Sequence, residues 1–359
     1  MQALLFNDTS YEKHHGSQLV VRQIHALARE AGINIRRSCP MRYDWRKDEV
    51  LKRDIRAADL CLINGEGTMH DDAKQALILG ELASYCKEHG VPCFLINSVW
   101  QNNRKLLAHA ADFAGIYLRD EMSQRELLAQ GVSAKVVPDL TLSYVYKGAG
   151  VPSRDGFLVN DSVFSERTCE AWRETCDVGD ASVRFLSIKN IPVIQVGKGF
   201  PRYVVKSCAR YLQSLKELLL SYFQSYSPVL APEHLGAFRW RYSQLGLNRF
   251  MHRLASARGV ITGRFHCVTL CFLARTPFYA IGSNTHKIQS LLMEAGLVGR
   301  VYETYGDAIR ARSSIDYSAS ELSALDDFLQ ACQARARAMF SEIFEVAQAR
   351  KQHVRALGS

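Results

Sequence analysis

What most constrains this chain is an alternation of short, wholly apolar runs with stretches of helical period, each run broken by small and polar residues. In the first half, Ala3-Leu4-Leu5-Phe6 precedes a polar loop and an apolar-periodic helix running to Gly32. Asp59-Leu60-Cys61-Leu62-Ile63 breaks at Asn64-Gly65-Glu66-Gly67-Thr68 and precedes a helix from about Ala73 to Gly90. Pro92–Ile96, Ala114–Leu118 and Lys135–Val137 continue the series, which closes at Pro138-Asp139. Runs that do not alternate polar and apolar residues are buried on both faces, which is the condition of a parallel sheet covered by helices. The segment Lys147–Gly156, rich in Gly, Pro and charge, reads as a linker. Beyond it the pattern resumes with expected strands at Phe157–Asn160, Ile191–Val196, Gly259–Thr262 and Phe278–Ile281, and an expected helix from about Val204 to Phe223. Ile288, Leu291, Leu292 and Ala295 form one helical face that stops at Gly296, and the spacing from Leu322 to Ala347 predicts one long closing helix.

The fold class expected is therefore α/β, with two Rossmann-like domains at 1–146 and 157–318 and a closing helix at 319–357. The halves look alike in architecture, with no sequence repeat evident between them. In such folds the carboxyl ends of the strands line the ligand site, so function belongs in the loops just after strands, and the two sets of loops are expected to share a cleft.

Composition narrows the partners. A chain of 359 residues is long enough for two cores, and its 47% hydrophobic and 23% charged residues are those of a globular protein rather than a disordered or fibrous one. The net charge of +9 suits an anionic partner, either a small acid, an acidic membrane surface or nucleic acid, and is equally the charge of an ordinary basic surface. Of ten cysteines, Cys39, Cys61, Cys93, Cys267 and Cys271 lie in apolar runs, where a reduced thiol behaves as a small hydrophobe. Cys-x-x-Cys and Cys/His zinc spacings are absent, and the pair His14-His15 lacks the clustered carboxylate or helical spacing that a metal needs, so no metal site is expected. The amino-terminal stretch lacks the pattern of a signal peptide, and no run reaches the roughly 18 apolar residues that span a bilayer. A reduced, cytoplasmic protein is expected, with peripheral contact at the inner membrane face left open. The runs Phe200–Tyr203 and Phe238–Tyr242 interleave aromatics with arginines, as a sugar-, lipid- or nucleic-acid-stacking surface or a half-buried helix with snorkelling arginines would. Recognisable nucleic-acid motifs are absent, and no nucleic-acid partner is expected.

The chemistry concentrates in a few strand-end loops. Thr262-Gly263-Arg264-Phe265-His266 follows a buried run and opens an apolar helix. Gly263 permits a tight turn, the helix start offers unpaired N–H groups, Arg264 adds a planar fork for carboxylate or phosphate, and His266 can donate a proton near neutral pH. Some twenty residues on, Gly282-Ser283-Asn284-Thr285-His286-Lys287 has the same strand-to-helix geometry. One of its hydroxyl or amide residues suffices as an N-cap worth about 1 kcal/mol, so Ser283, Asn284, Thr285 and Lys287 join Gly263 and Arg264 as candidate donor-binding residues. In the first half the loop Gly65-Glu66-Gly67-Thr68 is neither a Walker loop nor a dinucleotide fingerprint. Glu66 and Asp139 are candidate bases, each also readable as a cap, with Asp139 readable as a nucleophile too, and His266 is the candidate acid. Asn7, Asp8, His15, Gly16, Gly65, Gly67, Thr68 and Arg119 complete the candidate acceptor side.

These loops, together with Leu118-Arg119-Asp120 and Ser123, resemble the polysaccharide pyruvyl transferase family over most of the chain. The resemblance implies a GT-B-like pair of Rossmann domains and transfer of a pyruvyl group from phosphoenolpyruvate to hydroxyls of a cell-surface polysaccharide or its lipid-linked precursor, such as those of capsule or lipopolysaccharide. It implies no cofactor, only an anionic small-molecule donor and a glycan or lipid-linked glycan acceptor, with Arg264 and Lys287 holding phosphate and carboxylate. Two positions depart from the family's usual pattern. Glu66 stands where its loop usually has glycine, and Gly16-Ser17 stands where it usually reads Gly-Asp. A carboxylate at Glu66 also suits a glycosyltransferase using a nucleotide-activated acidic sugar of the CMP-Kdo type, whose carboxylate likewise neighbours the reacting carbon. A non-catalytic glycan-binding relative is the third reading.

Overall fold

The computed structural model describes residues 1–12, 14–148, 154–189, 208, 212, 245–282 and 287–357, with side chains to 352. The expected strand Ile191–Val196, the bulk of the helix expected from Val204, both aromatic–arginine runs and the loop residues Ser283, Asn284, Thr285 and His286 lie outside them. The chain divides into two compact units. The first comprises Met1–Tyr11, Ser17–Ser143 and Ala331–Ser359, and the second Glu12–Gly16 and Tyr144–Gln330.

The first unit is a six-stranded parallel sheet in the order β2-β1-β3-β4-β5-β6, formed by β1 (Gln2–Asp8), β2 (Asn34–Pro40), β3 (Leu60–Asn64), β4 (Cys93–Ser98), β5 (Gly115–Leu118) and β6 (Lys135–Val136). Its helices are α1 (His15–Glu30), α2 (Glu49–Arg56), α3 (Lys74–Glu88) and α4 (Glu121–Leu128). The central strands β3 and β4 are buried throughout, as their continuous apolar runs require. β2 escapes the sequence reading because it is an edge strand whose exposed side carries Arg36 and Arg37, both paired with Asp54. Asp48 and Asp120 cap α2 and α4 by accepting from the N–H groups of Leu51 and Ser123 at 2.9 and 2.8 Å. The long helix α10 (Ala319–Leu357) supplies Ala336, Met339, Phe340, Ile343 and Ala347 to the core of this unit, against Leu5, Ile24 and Phe94.

The second unit has a five-stranded parallel sheet among the described residues, in the order β11-β10-β9-β7-β8. Its strands are β7 (Phe157–Ser162), β8 (Val183–Phe185), β9 (Gly259–Gly263), β10 (Phe278–Ile281) and β11 (Val301–Tyr302), with helices α5 (Ser165–Asp177), α6 (Leu247–Ser256), α7 (Phe265–Ala274), α8 (Lys287–Glu294) and α9 (Tyr305–Arg310). α7 is buried from His266 to Ala274, which explains why its sequence is apolar on every side. Arg300 bolts the far edge of this unit, donating to the carbonyls of Phe278, Ile315 and Asp316 and to the Glu321 carboxylate, whose pKa it holds down at about 2.

Among the described residues of each unit the first strand lies between the second and the third, so the chain reverses its winding direction between β1 and β3, and between β7 and β9. Phe6 pairs with Ile63, and Val159 with Ile261. The residues that follow are alike: Asn7-Asp8 and Asn64-Gly65-Glu66 in one unit, Asn160-Asp161 and Thr262-Gly263-Arg264 in the other. A short repeat is therefore present at the two switch points, although none is evident along the sequence as a whole. At such a point the loops splay apart and leave room for a ligand.

Candidate functional site

In the first unit the strand ends are tied together by amides. Asn7, at φ 61°, donates from Nδ2 to the carbonyl of Asn64 at 2.6 Å. Asn97 of β4, at φ 53°, donates to Asn64 Oδ1 at 3.3 Å and accepts from the N–H of Leu140 at 3.0 Å. Asparagine tolerates the left-handed conformation and brings its own donor and acceptor, so three adjacent strands can end together without stranding a backbone group. Gly65 follows, and a Cβ on it would come closer than 3.0 Å to the side chain of Ser98. Gly67 turns the chain at φ 69°, and Thr68 is buried with its hydroxyl donating to the Gly65 carbonyl at 3.3 Å.

Glu66 is 6% exposed and both of its oxygens accept from hydroxyls, Oε2 from Thr9 at 2.6 Å and Oε1 from Ser17 at 2.7 Å. The two positions that depart from the family pattern, 17 and 66, thus touch each other. Asp139 is more fully engaged. Its Oδ2 accepts from Arg119 Nη1 at 2.7 Å in a buried ion pair between the ends of β5 and β6. Its Oδ1 accepts from the backbone N–H and the hydroxyl of Thr141. Arg119 and Asp139 therefore clamp two strand ends, with both oxygens of Asp139 taken up.

The corresponding place in the second unit is organised by charge. Arg264 ends the turn after β9 and caps α7 by position, without a side-chain cap bond. Its Nε and Nη2 donate to Asp161 Oδ2 at 2.8 and 2.7 Å. Asp161 Oδ1 accepts in turn from the N–H of Ile188 and the hydroxyl of Ser187. Behind them Thr262 donates to Asn160 Oδ1 at 2.9 Å and accepts from the N–H of Arg264. A Cβ on Gly263 would collide with the hydroxyl of the buried Tyr305, so only glycine passes there. Burial drives the Tyr305 phenol well above its ordinary range, which keeps it neutral.

His266 sits one residue into α7, where the first N–H groups of the helix have no intrahelical partners and the helix dipole is positive. The strap Glu12–Gly16, which belongs to this unit, lies against it. His14 forms a bridge with Lys189, the N–H of His15 donates to the carbonyl of Ile188 at 3.3 Å, and the His14 and His266 rings stand edge to face at 5.2 Å. A Cβ on Gly16 would fall closer than 3.0 Å to His266 Cβ, Cγ and Nδ1, so glycine is what lets the strap reach the ring. Burial, then the neighbouring His266, Arg264, His15 and Lys189, hold the pKa of His14 well below its usual value. Burial alone lowers that of His15 to about 4. Both rings are neutral at pH 7. Lys287 begins α8.

The strap His15-Gly16, assigned to the acceptor side from the sequence, is thus packed with His266 in the second unit. The structure also brings in Asp161, Lys189 and Tyr305, which the sequence did not single out, and His14, which the sequence weighed only as a metal ligand. Asp161 had a readable signal, since Asn160-Asp161 repeats the Asn7-Asp8 that ends the first strand of the other unit. Among the described residues no cluster of three or more His, Cys, Asp or Glu is placed to hold a metal ion, and no helix is long and apolar enough to cross a membrane. All ten cysteines carry free thiols, and Cys39, Cys61, Cys93, Cys267 and Cys271 are buried.

Two doubly wound units, each gathering polar and charged side chains at its switch point, define an α/β protein that binds its ligands at the carboxyl ends of its strands. The model of the polysaccharide pyruvyl transferase family matches residues 17–285, and the chain belongs to that family. It is accordingly a polysaccharide-modifying transferase with a small-molecule donor. Its fold is similar to that of a putative UDP-N-acetylglucosamine 2-epimerase from Listeria monocytogenes, with a TM-score of 0.51 and 10% identity over 90% of each chain. Sucrose-phosphate synthase from Thermosynechococcus elongatus aligns with a TM-score of 0.48 and 13% identity over 99% of each chain. At such identities the likeness is one of fold alone. No curated protein sequence matches the chain.

Proposed function

We propose that this enzyme transfers a pyruvyl group from phosphoenolpyruvate to two hydroxyls of a glycan acceptor, forming a ketal and releasing phosphate. The observation that carries the reading is the grouping of His266, Arg264, Lys189 and the start of α7 in the second unit. Phosphoenolpyruvate is a compact polyanion that bears a carboxylate and a phosphate on one carbon, and cations beside the positive end of a helix dipole are what such a donor needs. Arg264 and Lys189 hold the anionic groups, with Lys287 at the start of α8 as a further cation. His266 gives its proton to the methylene carbon, which becomes the methyl group. The central carbon then accepts the two acceptor oxygens as its bond to the phosphate oxygen breaks. Of the two hydroxyl protons, one replaces the proton that His266 gave and the other leaves with phosphate. Neutral rings at His14 and His15 add no competing charge beside His266.

The test is phosphate release from phosphoenolpyruvate in the presence of a glycan acceptor. His266→Asn is expected to lose about 10²- to 10⁴-fold in turnover while melting as the wild type does. Wild-type turnover by His266→Asn overturns the role of His266.

A second reading draws on Val163 and Phe164, which are 43% and 44% exposed just after β7, beside Asp161. An exposed aromatic at a strand end can stack on a nucleobase, which a donor of the CMP-sugar type would bring and phosphoenolpyruvate would not. Stabilisation by CMP that Phe164→Ala abolishes, with no phosphate released from phosphoenolpyruvate, favours that donor.

A further inference from the structure

Nearly half of the chain's net charge of +9 comes from one short segment of the first unit. Residues 36–56 carry eight arginines and lysines against four aspartates and glutamates, a surplus of four. The four carboxylates are all engaged locally. Asp44 binds Arg46, Glu49 binds Lys52, and Asp54 binds both Arg36 and Arg37 of the edge strand β2. Asp48 caps α2 and accepts from the Tyr43 hydroxyl at 2.7 Å. Glu81, which α3 brings to the segment, is taken by Arg46. Four cations are left over. Arg42, Lys47, Arg53 and Arg56 are exposed, and among the described residues no carboxylate pairs with any of them.

Local bonds hold the four on one continuous stretch of surface. α2 buries Leu51 and Ile55, so the opposite stripe, with Val50, Arg53 and Arg56, faces water. Lys47 ends the short 3-10 helix Trp45–Lys47, which Trp45 anchors by donating from Nε1 to the Ile78 carbonyl at 2.9 Å. Arg42 stands in the turn before it, and the bond from Tyr43 to Asp48 ties that turn to the start of α2. Folding accounts for only two of the four. Arg53 and Arg56 lie in the last turn of α2, where the negative end of the helix dipole rewards a cation. Lys47 stands at the other end, just before the cap, where the same dipole disfavours it. Arg42 holds φ at 63°, a left-handed conformation that glycine adopts at less cost. A neutral residue at 47 and a glycine at 42 serve the fold at least as well, so the reward for these cations lies outside the chain.

We propose that this surface docks the first unit peripherally on a lipid bilayer, through the anionic headgroups. Exposed cations without carboxylate partners gain from the negative potential of a headgroup layer, by about fivefold in affinity for each. Val50, 51% exposed among them, is an apolar side chain that the boundary between headgroups and acyl chains accepts. A nucleic acid also answers positive charge, but a surface that binds single strands offers aromatic rings to the bases. Here the aromatics are used within the fold, since Trp45 is buried and Tyr43 is bound to Asp48. Neither donor reading enters into this binding.

Co-sedimentation of the full chain with vesicles is the test. The wild type is expected to bind vesicles of equimolar phosphatidylcholine and phosphatidylglycerol at low salt, to be released by high salt, and to ignore vesicles of phosphatidylcholine alone. The triple variant Arg42→Gly, Lys47→Gln, Arg53→Gln is expected to melt as the wild type does and to bind about a hundredfold more weakly. Should it melt lower, Arg53→Gln alone is expected to lose about fivefold. A second triple variant, Arg249→Gln, Arg253→Gln, Arg335→Gln, removes the same charge from exposed positions elsewhere and is expected to bind as the wild type does. Absence of binding by the wild type, equal binding to both kinds of vesicle, undiminished binding by the first variant, or equal weakening in both variants overturns the proposal. So does a mixed-sequence DNA duplex that the wild type binds more tightly than the vesicles and the first variant does not, which assigns the surface to nucleic acid instead.

Discussion

The two switch points are built on one plan and finished with opposite chemistry. Each has an Asn-Asp at the end of the unit's first strand and a polar residue, a glycine and a charged residue at the end of its third. In the second unit the charged residue is Arg264, and it turns onto the aspartate of its own pair, Asp161, at 2.7 Å. In the first unit the charged residue is Glu66, which cannot pair with Asp8 and is held by two hydroxyls instead. One substitution of sign therefore changes what the whole edge can attract. Where guanidinium answers carboxylate, the local charge is cancelled, and Lys189 beside His14 tips the balance to positive. Where two carboxylates stand with only neutral donors, the balance is negative and suits hydroxyls.

That contrast can be broken most forcefully at Arg264. Arg264→Ala leaves Asp161 buried without its cation and is expected to destabilise the protein by about 3–5 kcal/mol, besides abolishing turnover, as read by denaturant unfolding. A loss below about 1 kcal/mol would mean that the ion pair does not organise the site. Acid should discriminate next. The native pKa of His15 is about 4 against an unfolded value near 6.5, so its neutral form is favoured by folding. The stabilisation from that neutral ring is complete above pH 6.5 and is lost as the pH falls towards 4, because the unfolded chain then binds the extra proton. The loss is about 3 kcal/mol. His15→Phe, next to Phe250 at 4.6 Å between ring centroids, is expected to reduce the pH dependence of the melting temperature over that interval, leaving the part that His14 contributes. An unchanged slope would place the sensitivity elsewhere. The smallest effect is expected at Glu66. Glu66→Gln keeps one acceptor oxygen, and the hydroxyl facing its new amide can rotate to accept. A cost of about 1 kcal/mol is expected, well below that of Arg264→Ala, and a larger one would erase the distinction between the charge-held and hydroxyl-held sites.

The apolar strands were legible because a strand buried on both faces leaves a continuous apolar run, as Leu60–Ile63 and Phe94–Ile96 do. β2 was not, because an edge strand spends its exposed positions on Arg36 and Arg37. Arg264 and His266 were legible from their place between a buried strand and an apolar helix. Their partners were not. Asp161 lies 103 residues before Arg264, and Thr9 and Ser17 lie 57 and 49 residues from Glu66, so only the parallel topology brings them together. His14-His15 carried no periodic signal at all. The role of the pair depends on a strap whose partners, Lys189, Phe250 and His266, are scattered over the second unit.

The long helix α10 has a consequence for how the chain comes to be folded at all. Its residues Ala336, Met339, Phe340, Ile343 and Ala347 complete the core that Leu5, Ile24 and Phe94 begin. A chain emerging from the ribosome presents the sheet of the first unit early and the helix that covers it some two hundred residues later. Until then one face of that sheet stays wet and adhesive, so the first unit to be synthesised is among the last to be finished.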